Sequence, residues 1–247
     1  MRTLTLRREQ IFQGPLILVN ASHPLADGPD PELSPADALH PQVLLERQAA
    51  LLLAACIQAA GGQRTIVPVS GWRSRTEQQT IWDDTWAKEG EAFTRQYVAL
   101  PGCSEHQTGL AIDLGAQADH IDFIRPHFPH DGPCGQFRRL AADYGFLQRY
   151  RREKESITGI AEEPWHFRYV GAPHARLMED NGLCLEEYAD FLRQGPRTCT
   201  LPNGERVRVS WLPCPGETVE AELPSPCCQV SGDNADGFIL TAWGAAS

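Results

Sequence analysis

Residues 104–114 read Ser-Glu-His-Gln-Thr-Gly-Leu-Ala-Ile-Asp-Leu. The second half alternates, with Leu110, Ile112 and Leu114 on one face of an extended chain and Ala111 and Asp113 on the other. That spacing predicts a strand with one apolar face and a lone carboxylate pointing away from it, as a metal site built on a sheet requires. His106 lies in the loop before this strand, seven residues ahead of Asp113. A strand advances roughly 3.3 Å per residue, so the loop must fold back if both side chains are to touch one ion at about 2.0–2.2 Å. Gly109 supplies the backbone freedom for so close a turn.

Fifty residues past Asp113 comes Glu163-Pro-Trp-His166. Trp165–Val170 reads as another strand, on which Trp165 and His166 point to opposite faces. Pro164 keeps Glu163 out of helical geometry and sets it at the strand entrance. His106, Asp113 and His166 then make a ligand set with a fourth position open for water, which marks a catalytic zinc site rather than a structural one. Glu163 is the candidate to take a proton from that water and pass it to a leaving amine. The chemistry implied is hydrolysis by a metal-activated water around one catalytic zinc ion.

The remaining elements follow from periodicity and punctuation. Pro15–Asn20 reads as a strand or an extended lead-in, and residues 42–60 as a largely buried helix stopped by Gly61-Gly62. Thr65–Ser70 reads as a strand near a sheet edge, because Pro68 has no amide donor. A helix capped by Thr76 and Gln79 runs through Trp82 and Trp86 to Gly90, with the two tryptophans expected in the core. Further helices are expected over 134–145, 173–181 and 184–194, and a further strand over 146–150. From about Gly195, β-type segments such as Arg206–Trp211 and Gly237–Trp243 alternate with Pro/Gly/Asn turns. The fold class is α+β, a small, mainly antiparallel sheet flanked by helices. Residues 1–195 are expected as the catalytic domain and 196–247 as a small β-rich C-terminal appendage.

Composition narrows the partners. The 247 residues are ordinary for a globular protein in apolar and charged content, and the net charge is −10. Nucleic acid and anionic membranes are thus disfavoured as main partners. The basic N-terminus lacks a following apolar run, and no stretch is long enough to span a bilayer, so a cytoplasmic protein is expected. None of the eight cysteines forms a Cys-x-x-Cys pair. They are expected as reduced thiols, mostly buried, with Cys227-Cys228 partly buried in the appendage. His120, His127 and His130 cluster in a Pro-rich loop with no framework to position them, and are expected to be solvated.

Ser104–Asp113 resembles the Ser-x-His-x-x-Gly-x-Ala-x-Asp pattern of the D-Ala-D-Ala metallopeptidases, which include VanY-type D,D-carboxypeptidases and VanX- and VanXY-type D,D-dipeptidases. Glu163–His166 is similar to their Glu-x-x-His motif, and Ser70-Gly-Trp-Arg-Ser74 to their Ser-Gly-Tyr-Arg-Ser segment, with Gln78 five residues beyond Arg73. The match spans roughly residues 15–194. The resemblance implies zinc on His106, Asp113 and His166, with Glu163 as base and Arg73 stabilising the polarised carbonyl. Ser104 and Gln78 are expected to hydrogen-bond the substrate. It also implies removal of a terminal D-Ala from a peptidoglycan precursor peptide. The alternatives are a D-Ala-D-Ala dipeptidase, an L,D-carboxypeptidase or endopeptidase on the same scaffold, and a non-catalytic cell-wall-binding module. Retention of Glu163 and Arg73 beside all three ligands argues against the last.

Overall fold

Every residue from Leu110 to Gly115 is buried, so the strand around Asp113 is covered on both faces. In the computed structural model, residues 2–244 are described. The first half runs β1 (Arg2–Arg7), β2 (Leu33–Pro35), β3 (Leu44–Glu46), α1 (Arg47–Ala59), β4 (Ile66–Ser70), α2 (Arg75–Glu89), α3 (Glu91–Tyr97) and β5 (Ala111–Ala116). It continues with α4 (Gly132–Ala141), β6 (Phe146–Tyr150), α5 (Glu155–Thr158), β7 (Glu163–Tyr169), α6 (Ala172–Asp180) and α7 (Leu185–Arg193). Five strands close the chain: β8 (Arg197–Thr200), β9 (Arg206–Pro213), β10 (Thr218–Leu223), β11 (Cys227–Gly232) and β12 (Gly237–Trp243).

The architecture is the expected α+β arrangement, built on an antiparallel sheet in the order β4-β5-β7-β6. β4 lies at its edge, where the missing amide of Pro68 costs no ladder bond. Side chains alternate across the sheet. Leu110, Ile112 and Leu114 share one face with Trp165, Phe167 and Tyr169, and pack on Leu53 and Ile57 of α1 and Phe137 of α4. Phe128, Phe137 and Phe167 meet edge to face, with centroids 5.0–5.9 Å apart. Each of these buried side chains contributes about 1.5–3 kcal/mol. The opposite face carries Asp113, His166, Arg168 and Arg149, all at most 4% exposed. A sheet apolar on one side and charged on the other, yet buried on both, must satisfy its charges internally.

Local chemistry corrects several boundaries. The first helix begins at Arg47, not 42, because the Glu46 side chain accepts from the amides of Gln48 and Ala49 and so caps it. Before it, Leu44–Glu46 is extended and pairs with Leu33–Pro35. The capping box of α2 is Ser74 with Glu77, two residues earlier than the Thr76 box. Pro15–Val19 belongs to no ladder. It is a lead-in that starts in a turn at Pro15 and Leu16, and its carbonyls at Pro15 and Ile17 accept from Arg168. Trp82 and Trp86 are not in the core: their rings meet at 5.8 Å, tilted by 37°, Trp86 is 36% exposed, and Arg95 lies over it.

α6 and α7 pack between the central sheet and a second antiparallel sheet, β11-β12-β9-β8, through Leu147, Met178, Tyr188, Val207 and Ile239. β1 pairs with β10, so the first residues of the chain join the C-terminal β structure. All eight cysteines are free; five are buried, whereas Cys227 is exposed. Among the described residues, no helix is long and apolar enough to cross a membrane.

Candidate active site

Asp113 and His166 are direct cross-strand partners of β5 and β7, so their side chains emerge side by side from the buried polar face. His166 Nδ1 is 2.9 Å from Asp113 Oδ1. A short 3-10 turn, Glu105–Thr108, folds the preceding loop back, and Gly109 closes it in the left-handed region at φ 72°. A Cβ there would stand 3.0 Å from the Glu46 amide nitrogen. The fold-back brings His106 Nε2 to 3.2 Å from Asp113 Oδ2. The other ring nitrogen of His106 donates to the Gly71 carbonyl at 2.7 Å, which leaves Nε2 free as a ligand.

Ligand atoms from His106, Asp113 and His166 lie within 4.8 Å of one another. Tetrahedral bonds of about 2.1 Å place ligand atoms roughly 3.4 Å apart; His106 Nε2 and His166 Nδ1 stand 3.2 and 2.9 Å from the two oxygens of Asp113. Two imidazoles and one carboxylate, with a side left open, suit a catalytic zinc ion. Burial and Arg73 push His106 down to about 4, so its ring is neutral, the form that binds metal. Burial alone would raise Asp113, but His106 and His166 outweigh it and keep the group ionised.

Glu163 is three residues from His166, so simple alternation would put it on the far face. A register slip between Gln148 and Tyr150 makes Tyr150 its cross-strand partner, and Glu163 Oε2 comes to 3.6 Å from His166 Nδ1. Burial, reinforced by the charges of Asp113 and Glu105 against the pull of His166 and Arg73, raises Glu163 to about 8. A carboxyl poised near neutrality suits a group that must both accept and release a proton.

Arg73 follows β4 and is fixed at three points. Nε donates to Ser70 Oγ at 2.8 Å, Nη1 to Gln78 Oε1 at 3.3 Å, and Nη2 to Asp113 Oδ2 at 2.9 Å. The amide of Gln78 is fully buried and also donates to the Ala99 carbonyl, so it anchors Arg73. Ser104 lines the cleft with apolar Tyr97, Phe123, Ile124 and Ile160. All seven residues singled out from the sequence thus converge on one cleft. His120, His127 and His130 are exposed in their loop and join no ligand cluster among the described residues.

Four further residues at the site were not anticipated. The Tyr150 ring packs 4.9 Å from that of His166. Glu105 is buried between Arg149 and Arg168; burial would raise it, but those two guanidiniums hold it well below the usual carboxylate range. Their signal was present in the sequence: Arg149 and Arg168 each interrupt an apolar strand, where a charge needs a partner.

Comparison with known proteins agrees with this geometry. The sequence pattern of the VanY D-alanyl-D-alanine carboxypeptidase family matches residues 42–172. The bifunctional D-Ala-D-Ala dipeptidase and carboxypeptidase VanXYC of Enterococcus gallinarum is 41% identical over 184 residues, 74% of this chain and 97% of the relative. The crystal structure of the vancomycin-resistance D,D-dipeptidase VanXYg, in complex with a D-Ala-D-Ala phosphinate analogue, superposes with a TM-score of 0.94 at 46% identity and 98% coverage of both chains. The D,D-pentapeptidase VanY from the VanB-type resistance cassette, in complex with Zn(II), gives a TM-score of 0.58 at 31% identity, covering 70% of this chain and 98% of that one.

Proposed function

The chain belongs to the VanY family of D-alanyl-D-alanine carboxypeptidases, and from that premise we propose that it hydrolyses the D-Ala-D-Ala bond of peptidoglycan precursor peptides with one zinc ion. The observation that carries the proposal is the convergence of His106, Asp113 and His166 beside Glu163. When bound, zinc supplies Lewis-acid polarisation of the scissile carbonyl and a lowered water pKa. Glu163 takes the proton of the attacking water on its carboxylate, the water oxygen adds to the carbonyl carbon, and the C–N bond breaks. The same proton then passes from Glu163 to the leaving amine of D-Ala. Arg73, held at three points, turns its remaining N–H groups to the developing oxyanion. Ser104 hydrogen-bonds the substrate, while Gln78 acts through Arg73. The apolar side chains at the cleft suit alanine methyl groups and exclude water.

Free D-Ala-D-Ala as substrate is the second reading, favoured by the full-length match to VanXYg. Hydrolysis is assigned to the cytoplasm, where precursors are assembled. Residues 1–195 are assigned as the catalytic unit, since all seven site residues lie there, and 196–247 as an appendage that shares strand pairing with β1. The test is release of D-Ala by the zinc-loaded protein from the dipeptide, from a pentapeptide ending in D-Ala-D-Ala, and from L,D controls. Glu163→Gln should keep zinc and lose about 10²–10⁴-fold in kcat. Unchanged turnover in that variant would remove the assigned base.

A further inference from the structure

Starting from that reading of the metal site, we propose that Glu105 is a positioning residue whose carboxylate holds the Nε2 edge of His166, so that Nδ1 is presented to the metal. Both Nδ1 and Nε2 of His166 are buried, and each faces a different acid. Nδ1 is 2.9 Å from Asp113 Oδ1. Nε2 is 3.5 Å from Glu105 Oε2, and neither of these two atoms has another hydrogen-bond partner. Two orphaned buried atoms of opposite character, facing one another at that distance, are a hydrogen bond in waiting.

The arginines explain why Oε2 is left free. Arg149 Nε donates to Glu105 Oε1 at 2.8 Å, and Arg168 Nη1 approaches the same oxygen at 3.3 Å. Both cations therefore sit on one carboxylate oxygen, and the other is left to the imidazole. Each arginine is itself pinned. Arg149 makes a bidentate pair with Glu186 at 2.8 and 2.7 Å, and Arg168 donates to the carbonyls of Pro15 and Ile17. The carboxylate is thus located from α7, from the lead-in and from two sheet strands at once, which a flexible acid could not match. His106 uses a backbone carbonyl for the same purpose. A carboxylate acceptor gives His166 the more basic ring of the two.

The full chain serves for the test. Zinc affinity of wild type and Glu105→Gln is measured by competition with a chromophoric chelator, with circular dichroism and metal-free melting as checks on the fold. The expected result is zinc binding weakened by about 10–100-fold, with turnover largely restored by excess zinc. Wild-type affinity in a folded Glu105→Gln protein overturns the proposal. Should that variant not fold, the zinc-loaded wild type decides the matter through long-range 1H–15N spectra of labelled histidines. A protonated Nε2 and a metal-bound Nδ1 at His166 support the proposal, and the reverse assignment overturns it. A wild type that takes up no zinc overturns both this proposal and the site reading beneath it. Normal zinc uptake and D-Ala release with an unaffected variant overturns only the role of Glu105.

Discussion

Replacing Arg73 by lysine keeps the charge and removes the geometry, which makes it the sharpest probe of transition-state stabilisation. A guanidinium has five N–H donors. Here three of its nitrogens are each committed once, to Ser70, Gln78 and Asp113, leaving one N–H on Nη1 and one on Nη2. A lysine ammonium has three donors on a flexible stem and cannot span those anchors while still facing the substrate. Losing one preorganised oxyanion donor costs about 2.7–4 kcal/mol, or about 10²–10³ in kcat. KM should move far less, because the oxyanion exists only in the transition state. The assay is steady-state D-Ala release from D-Ala-D-Ala, with zinc content measured in parallel because Arg73 also touches Asp113. A zinc-replete Arg73→Lys enzyme within about threefold of wild-type kcat, less than 1 kcal/mol, would refute the assigned role.

Two further predictions concern the frame around the site. A Cβ at Gly71 would lie 2.1 Å from the Leu44 carbonyl oxygen, so Gly71→Ala must shift the backbone whose carbonyl fixes the His106 ring. Urea titrations should show a loss of about 1–3 kcal/mol, and chelator competition a weaker zinc site; wild-type values in both would contradict the packing. His174 is buried against Tyr188 and Thr241, both neutral, and burial lowers it from 6.5 to about 3. Above pH 6.5 the ring is neutral folded or unfolded, whereas below it only the unfolded chain gains a proton. Stability should therefore fall by about 1.4 kcal/mol per pH unit as pH drops from 6.5 towards 3. His174→Gln should flatten that slope in melts at pH 7.5 and 5, and an unchanged slope would show that another group titrates.

The ligand set was legible because each member carried a local sign. Asp113 put a lone carboxylate on the face opposite an alternating apolar one, Gly109 announced the tight turn behind His106, and Pro164 marked where β7 begins. Glu163 shows where local rules stop. Its offset of three from His166 predicts opposite faces, and only the slip against β6 turns both toward one cleft. That slip depends on a partner strand about fifteen residues away, and no pattern within either strand records it. The β1–β10 pairing, closed across more than two hundred residues, was invisible for the same reason. The substrate contact expected of Gln78 came from the family resemblance, and no local pattern announced that its amide also meets Arg73 and the Ala99 carbonyl.

The buried arginines extend that lesson from register to charge. Glu105, Asp113, Glu163 and Glu186 surround the site with four carboxyl groups, against three guanidiniums from Arg73, Arg149 and Arg168. Two of those cations are spent on Glu105 and Glu186, behind His166, which leaves Arg73 alone beside Asp113 and Glu163. At the front, against the effect of burial, Asp113 and Glu105 hold the His166 ring up to about 9, so a divalent cation would take the place of that ring's extra proton between Asp113 and Glu163. With the cation in place, its charge would oppose the burial that raises Glu163. The carboxyl would ionise at lower pH and become a base at neutrality. Metal binding and activation of the base are then one electrostatic event, arranged by a sheet face whose remaining charges already cancel.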